Sequence, residues 1–200
     1  DYTILSVDSE TRLTLTTPFI GTSGGGKTYT IARKFAELRL WEGCIDGPGG
    51  VGCENVSSND LVADNRGEVG IGYDAGASYT YTSVGSAILN IKGSLTDATH
   101  TITLTVDPGN RHNGTANSGV VLDNNINTTW AVAVQDEYAT VEWLEITGGA
   151  TTGAAAFNIV AGGVDNHIEI KNNLIRNVAG RGVRINSVDA RVDIINNIVY

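Results

Sequence analysis

The sequence predicts an all-β protein whose main part is a parallel β-helix, and two observations lead to that fold class. First, His167–Ile175 reads HIEIKNNLI and Arg191–Val199 reads RVDIINNIV, a shift of 191 − 167 = 24 residues. A period of roughly 20 to 50 residues is typical of a solenoid, in which each repeat buries its apolar side on its neighbours. Second, 25 glycines, no methionine and 18% charged residues favour turns and short strands over helices.

Residues 1–33 predict a short β lead-in. Tyr2–Val7 and Arg12–Thr16 alternate as the two strands of a hairpin, and Thr28–Ile31 predicts a third strand. Because these strands contain too few apolar residues for a core of their own, we expect residues 1–33 to contact another surface and to act as an assembly segment. The apolar residues assigned to that contact are Ile4, Leu5, Val7, Leu13 and Leu15.

Residues 34–86 predict a capping helix followed by an irregular region. The helix is expected over Ala32–Trp41, with Gly43 as its stop. Such a helix would cover the end of a solenoid core, which otherwise exposes its strand edges. Its apolar residues recur every third position: Phe35, Leu38 and Trp41.

Cys44 and Cys53 bracket a glycine-rich spacer in this region. A metal site would need further Cys or His nearby, and the sequence has none there. We therefore expect a disulfide, which would stabilise the fold by about 2–3 kcal/mol and implies export from the cytoplasm. The alternative is a pair of free thiols in a loop.

Charge and hydropathy limit the partners. A net charge of −9 argues against nucleic acid or an anionic membrane surface, and no apolar run is long enough to span a bilayer. The chain starts at Asp1 without methionine, so we expect a processed or excised chain located extracellularly or at a cell surface. Three sequons are candidate glycosylation sites, although an Asn- and Thr-rich sequence also produces them by chance: Asn55, Asn113 and Asn127.

Residues 87–200 predict the parallel β-helix itself, because apolar residues align at steps of 24 to 29 residues. The predicted inward columns are Val132–Phe157–Val183, Val134–Ile159–Ile185, Val141–Ile170–Ile194 and Ile146–Ile175–Val199. Asn173 and Asn197 fall at a corner, where inward asparagines stack and bond the backbone. A ligand-binding role for these amides is the alternative.

Gly21–Thr28 satisfies the pattern G-x-x-x-x-G-K-[ST] of a phosphate-binding loop, with Lys27 as its cation. That motif requires a buried parallel strand before it and a helix after it. Here the preceding strand alternates and contains proline, and the following residues favour a strand. A glycine-rich hairpin loop is the preferred interpretation, nucleotide hydrolysis is the alternative, and no cofactor is expected.

Glu169 and Asp193 are predicted to point outward from neighbouring coils, about 4.8 Å apart. They form a candidate carbohydrate or calcium patch, because glycoside cleavage needs two carboxylates and calcium takes oxygen ligands. Alternatively, Lys171 and Arg191 simply neutralise them. The three histidines are too scattered in sequence for a metal triad, and only His112, beside Arg111 in a polar loop, attracts interest.

The coil pattern of Val132–Val199, with pieces such as Thr140–Gly148 (TVEWLEITG), resembles the pectin-lyase-like right-handed parallel β-helix superfamily. The resemblance implies a right-handed helix and covers about half of the chain. That superfamily includes polysaccharide lyases, glycosidases, phage tailspikes and surface adhesins, so it implies fold more than activity. No residues match the calcium aspartates and catalytic arginine of its lyases, so no catalytic residue is assigned.

The expected function is structural rather than enzymatic: a β-solenoid subunit or module of an extracellular fibre or adhesin. Tyr200 ends inside a predicted coil strand, which would leave an open edge that includes Ile194 and Val199. We expect head-to-tail homo-oligomers, in which residues 1–33 add strands to that edge on another copy, with cell-surface glycans as further partners. A chain that continues beyond Tyr200 is the competing explanation, and a carbohydrate-binding or polysaccharide-cleaving β-helix is the alternative function.

Overall fold

A computed structural model describes the protein over residues 4–9, 12–15, 17, 20, 35–47, 56, 58–74, 76–80, 87–124, 130–149, 151–162, 166–187 and 189–200. The chain divides into two compact units, Asp1–Arg33 and Lys34–Tyr200. The first unit contains an antiparallel pair of strands, β1 (Ile4–Ser9) and β2 (Arg12–Leu15), whose register shifts twice. The predicted third strand, Thr28–Ile31, lies outside the described residues.

The second unit is mostly β, with parallel sheets and one short α-helix among its described residues. Its elements in chain order are α1 (Leu38–Ile45), β3 (Glu68–Gly72), β4 (Leu89–Ile91), β5 (Ile102–Val106), a 3-10 helix (Pro108–Asn110), β6 (Val121–Asp123), β7 (Trp130–Val134), β8 (Ala139–Glu142), β9 (Glu145–Thr147), β10 (Ala155–Ile159), β11 (His167–Lys171), β12 (Leu174–Arg176), β13 (Arg181–Ile185), β14 (Arg191–Ile195) and β15 (Ile198–Val199).

The strands of this unit form three parallel sheets. Their orders are β13-β10-β7-β4, β14-β11-β8-β5-β3 and β15-β12-β9-β6. From β4 onward, successive strands enter the three sheets in turn, so β4–β6, β7–β9, β10–β12 and β13–β15 each supply one strand to every sheet. We call each such trio a layer, and β13–β15 the terminal layer.

The interior follows from the alternation of apolar and polar residues along each strand. In β11, Ile168 and Ile170 are fully buried, whereas His167, Glu169 and Lys171 are partly exposed on the outer face. The register places each inward apolar residue directly next to an inward apolar residue of the neighbouring layer. It pairs Val132 with Phe157 and Phe157 with Val183, and it forms the columns Val134–Ile159–Ile185, Val141–Ile170–Ile194 and Ile146–Ile175–Val199.

The helix lies further along the chain than the sequence predicted. It begins at Leu38, ends at Ile45 and runs through Gly43, which was expected to stop it. The buried side of α1 is Leu38, Trp41 and Ile45, at i, i+3 and i+7. Tertiary packing along that stripe offsets the roughly 0.5–1 kcal/mol that an interior glycine costs.

Parallel pairing begins before Ala87, the expected start of the repeat. Strand β3 lies in the region that was expected to be irregular, and it pairs in parallel with β5 over its whole length. An added Cβ on Gly70 would lie 2.7 Å from the ring of Trp41, so the helix packs directly on this strand. Residues of the irregular region therefore belong to the same sheet as the later repeat.

One corner repeats its backbone conformation from layer to layer. Trp143, Asn172 and Asn196 have positive φ values of 64°, 57° and 53° and occupy equivalent positions before β9, β12 and β15. Asparagine tolerates this left-handed region better than most residues. Asn172 and Asn196 thus mark a turn that the last three layers share.

Candidate functional site

The outer face of the five-stranded sheet carries a group of polar side chains on β8, β11 and β14. In-register pairing places Thr140, Glu169 and Asp193 in one row across β8, β11 and β14. A neighbouring row contains Glu142 and Lys171. Because adjacent strands lie about 4.8 Å apart, side chains in such rows are within reach of one another.

His167, Glu169 and Asp193 converge on this face. The Nε2 atom of His167 lies 2.8 Å from Oδ2 of Asp193 and 3.9 Å from Oε1 of Glu169. These three atoms form a group that could hold a metal ion, all within 4.8 Å of one another. Sequence reasoning named both carboxylates but missed His167, whose position two residues before Glu169 on an alternating strand was the available signal.

Basic neighbours keep both carboxylates ionised. The hydrogen bond from Lys171 Nζ, 2.8 Å from Oε2, lowers the pKa of Glu169. The hydrogen bonds from Arg191, first, and His167, second, lower the pKa of Asp193. Lys171 and Arg191 therefore neutralise the charges of the two carboxylates, as the alternative interpretation of the sequence expected. The same two carboxylates also lie next to His167.

A second group of carboxylates lies buried where α1 meets the parallel sheets. The backbone N–H of Lys92 donates to Glu42 Oε1 at 2.9 Å, and that of Ser94 donates to Asp136 Oδ2 at 3.2 Å. Burial, followed by the charge of Asp46, raises the pKa of Glu42 to about 8. Burial likewise raises the pKa of Asp136 to about 6. Sequence reasoning did not bring these acids together: Glu42 connects the helix to the loop after β4, and Asp136 holds the same loop from the turn after β7.

Gly93 lies at the centre of this group, with φ +94°, between the two hydrogen-bonding residues of the loop. A Cβ added there would lie 2.9 Å from Oδ1 of Asp46. Burial raises the pKa of Asp46 as well. The arrangement anchors α1 through hydrogen-bonded carboxyl groups, and their burial close to one another favours the protonated form of each.

Asn173 and Asn197 stack at the inward corner before β12 and β15. Buried Asn173 accepts a hydrogen bond from Leu144 N at 3.0 Å and donates to Val141 O at 3.0 Å. Asn197 repeats the pattern one layer on, since its Oδ1 accepts from Asn173 N at 2.9 Å and its Nδ2 donates to Ile170 O. Both amides are occupied by backbone groups at the turn.

The terminal layer exposes the apolar columns that earlier layers bury. Ile170 is 0% exposed, whereas Ile194, the next residue in its column, is 49% exposed. Ile175 is 1% exposed, whereas Val199 above it is 62% exposed. The residues Ile4, Leu5, Val7, Leu13 and Leu15, expected to take part in assembly, lie in β1 and β2, and their side chains are not described.

The remaining predicted sites are only partly covered by the described residues. Cys44 is buried on α1 and is disulfide-bonded, and Cys53 lies outside the described residues. Asn113 is exposed, and its Oδ1 accepts a hydrogen bond from Thr115 N at 3.0 Å. The other sequons, at Asn55 and Asn127, and the glycine-rich segment with Lys27 lie outside the described residues.

His112 holds the loop after the 3-10 helix against the corner of the layers. Its Nε2 contacts Asn172 O at 2.7 Å, and its ring lies 5.8 Å from that of Trp143. The guanidinium of Arg111 covers the same Trp143 ring at 4.7 Å. His112 is buried and therefore has a packing role in this loop.

Buried Glu145 fixes the same loop from the outer face of β9. It accepts hydrogen bonds from Asn117 N, at 2.8 Å, and from Arg176 Nε, at 2.6 Å. Glu142 accepts a hydrogen bond from Thr105 Oγ1, and Asp136 accepts one from Ser94 N. The acids between residues 136 and 145 are therefore distributed among separate environments.

Comparison of the chain with protein-family models, with curated proteins and with solved structures found no match. Within the described part of the chain, no helix has the length and apolar character needed to cross a bilayer.

Proposed function

We propose that the second unit contains a right-handed parallel β-helix of the pectin-lyase-like type, capped by α1, and that the protein is a non-enzymatic structural module of an extracellular fibre or adhesin. The fold proposal is supported by three parallel sheets that the chain enters in turn, layer after layer. Disulfide-bonded Cys44 supports an extracellular or cell-surface location, because disulfides persist in oxidising compartments.

The observation that carries the assembly proposal is the in-register stacking of apolar columns from layer to layer. Ile194 and Val199 continue columns that are buried one layer below, and either another copy of the chain or further coils of a longer chain can cover them. Strand edges with apolar side chains favour further pairing. In the proposed contact, β1 and β2 of one copy extend the terminal layer of the next, which gives a head-to-tail homo-oligomer.

Electron microscopy of the purified chain and of residues 34–200 tests this proposal. We expect filaments from the full chain and none from the shortened one. Ile194→Lys and Val199→Lys place charges on the proposed contact and should also abolish filaments. Val69→Lys is the matched control, since Val69 is exposed on β3. Filaments that persist without residues 1–33 would refute strand addition by that segment, and a full chain that stays monomeric would refute assembly.

Binding or cleavage of carbohydrate is a second candidate, favoured by the cluster of His167, Glu169 and Asp193 on an accessible sheet face. Cell-surface glycans would be the partners or substrates. Incubation with acidic polysaccharides, with and without calcium, tests it. Cleavage that disappears in Glu169→Gln or Asp193→Asn would establish an enzyme and contradict the structural proposal, whereas the absence of both binding and cleavage would eliminate this candidate.

A further inference from the structure

The outer face of β11 and β14 combines an imidazole nitrogen with two carboxylates. His167 Nε2 lies 2.8 Å from Asp193 Oδ2 and 3.9 Å from Glu169 Oε1. Zinc in proteins takes nitrogen and oxygen ligands at about 2.0–2.2 Å, which places two tetrahedral ligand atoms about 3.4 Å apart. The observed separations lie on either side of that value, so small side-chain rotations would bring the atoms to coordinating distance.

The fold holds these three side chains on rigid elements. His167 and Glu169 are two residues apart on β11, and Asp193 is the in-register partner of Glu169 on β14. On β11, Ile168 and Ile170 on either side of Glu169 are fully buried, which fixes the outward direction of His167 and Glu169. Sites on packed strands keep their geometry better than sites on loops.

Neighbouring groups orient Glu169 while leaving one of its oxygens available. Its Oε2 accepts hydrogen bonds from Lys171 Nζ, at 2.8 Å, and from Thr140 Oγ1, at 3.3 Å. No hydrogen bond from a described residue reaches Oε1, the oxygen nearer to His167. Outer partners that fix a carboxylate in this way are typical of metal sites.

The contacts of Asp193 with two residues, Arg191 and His167, would change when an ion binds. Its Oδ2 accepts hydrogen bonds from Arg191 Nη2 and from His167 Nε2, both at 2.8 Å, and its Oδ1 is 3.3 Å from Arg191 Nε. Arg191 has a side chain that is 70% exposed, so its ion pair contributes little and can swing aside. His167 Nε2 would exchange its hydrogen bond for a metal bond.

We infer that His167, Glu169 and Asp193 form a binding site for a divalent transition-metal ion such as Zn²⁺, with a remaining coordination position open to water or a further ligand. The imidazole decides the class of ion. Calcium and magnesium take oxygen ligands, whereas zinc and its neighbours bind imidazole together with carboxylate. The inference is independent of the proposed assembly.

Calorimetric titration of the tag-free full chain with Zn²⁺, and separately with Ca²⁺, tests the site. We expect one equivalent of Zn²⁺ to bind at least tenfold more tightly than Ca²⁺. His167→Ala, Glu169→Gln and Asp193→Asn should each weaken Zn²⁺ binding by about 10-fold to 100-fold or more. Urea unfolding of every variant shows whether the fold is retained, and the variants that retain it decide the outcome.

Asp97→Asn is the matched control. Asp97 contacts His100 through a hydrogen bond of 2.8 Å, so it also belongs to a His–Asp pair, but the metal-competent group of described residues does not include it. This variant should leave Zn²⁺ affinity unchanged. The inference is overturned if no saturable Zn²⁺ binding occurs, if Ca²⁺ binds equally well, or if Asp97→Asn weakens binding as much as the cluster variants do.

Discussion

At the scale of single residues, buried asparagine and buried carboxyl groups both bond the backbone but respond differently to pH. Asn173 bonds backbone groups at an inward turn and is neutral at every pH. Glu42 also bonds a backbone N–H in a buried position, but it titrates, and burial raises its pKa to about 8. The stability of the contact between α1 and the sheets therefore depends on pH, whereas that of the asparagine stack does not.

The pH dependence has a definite sign. The pKa of Glu42 is raised from 4.5 to about 8 by folding, so the folded chain binds this proton more tightly than the unfolded chain. The associated stability is fully present below pH 4.5. It falls as the pH rises towards 8 and is lost above that value. Glu42→Gln should raise the free energy of unfolding at pH 9 by about 1–3 kcal/mol and change it much less at pH 5.

Urea unfolding of both proteins between pH 5 and pH 9 measures this difference. Asp136 still titrates in the variant, with a pKa of about 6, so the slope should decrease without vanishing. Asp74→Asn, at an exposed carboxyl group, is the control and should follow the wild type. Parallel curves for wild type and Glu42→Gln would contradict a buried, protonated Glu42.

At the scale of elements, a close fit joins α1 to β3. Buried Gly70 faces Trp41, and an added Cβ would lie 2.7 Å from its ring. Gly72, two residues along the same strand, has room for a Cβ, with its nearest neighbour, Thr105 O, at 3.5 Å. The packing of α1 therefore requires glycine at position 70 but not at position 72.

Gly70→Ala should destabilise the protein by about 1–3 kcal/mol, because overpacking forces the helix or the strand to shift. Gly72→Ala should change stability by about 1 kcal/mol at most, and both variants share the same reduction of unfolded-chain entropy. Urea unfolding followed by tryptophan fluorescence measures the difference. Equal stabilities for the two variants would show that Trp41 does not press on Gly70.

At the scale of the whole molecule, the chain consists of two compact units, Asp1–Arg33 and Lys34–Tyr200. The second unit contains a buried apolar cluster that extends from Leu38 to Ile175. A unit that contains its own core folds independently. The two units can therefore have different tasks, as the assembly proposal requires.

Residues 34–200 alone should unfold in a single cooperative transition, with a far-ultraviolet spectrum rich in β-structure. Circular dichroism and urea unfolding of this shortened chain provide the measurement, and the full chain serves as the reference. The result also controls the filament experiment, because loss of filaments is informative only if the shortened chain is folded. A non-cooperative transition would show that residues 1–33 support the second unit.

The sequence by itself determined which residues stack. Its period of 24 to 29 residues aligned Val132 with Phe157 and Ile170 with Ile194, because in-register parallel strands repeat each inward side chain on the next layer. Only the tertiary structure decided where α1 begins, that Glu42 meets the loop after β4, and that His167 joins the two carboxylates. The contacts of Trp41 and Glu42 connect α1 with segments that share no repeat with it, so no periodicity in the chain encodes them. His167, by contrast, lies on a strand of the repeat itself, and the distances between its ring and the two carboxylates depend on side-chain rotamers that the period does not specify.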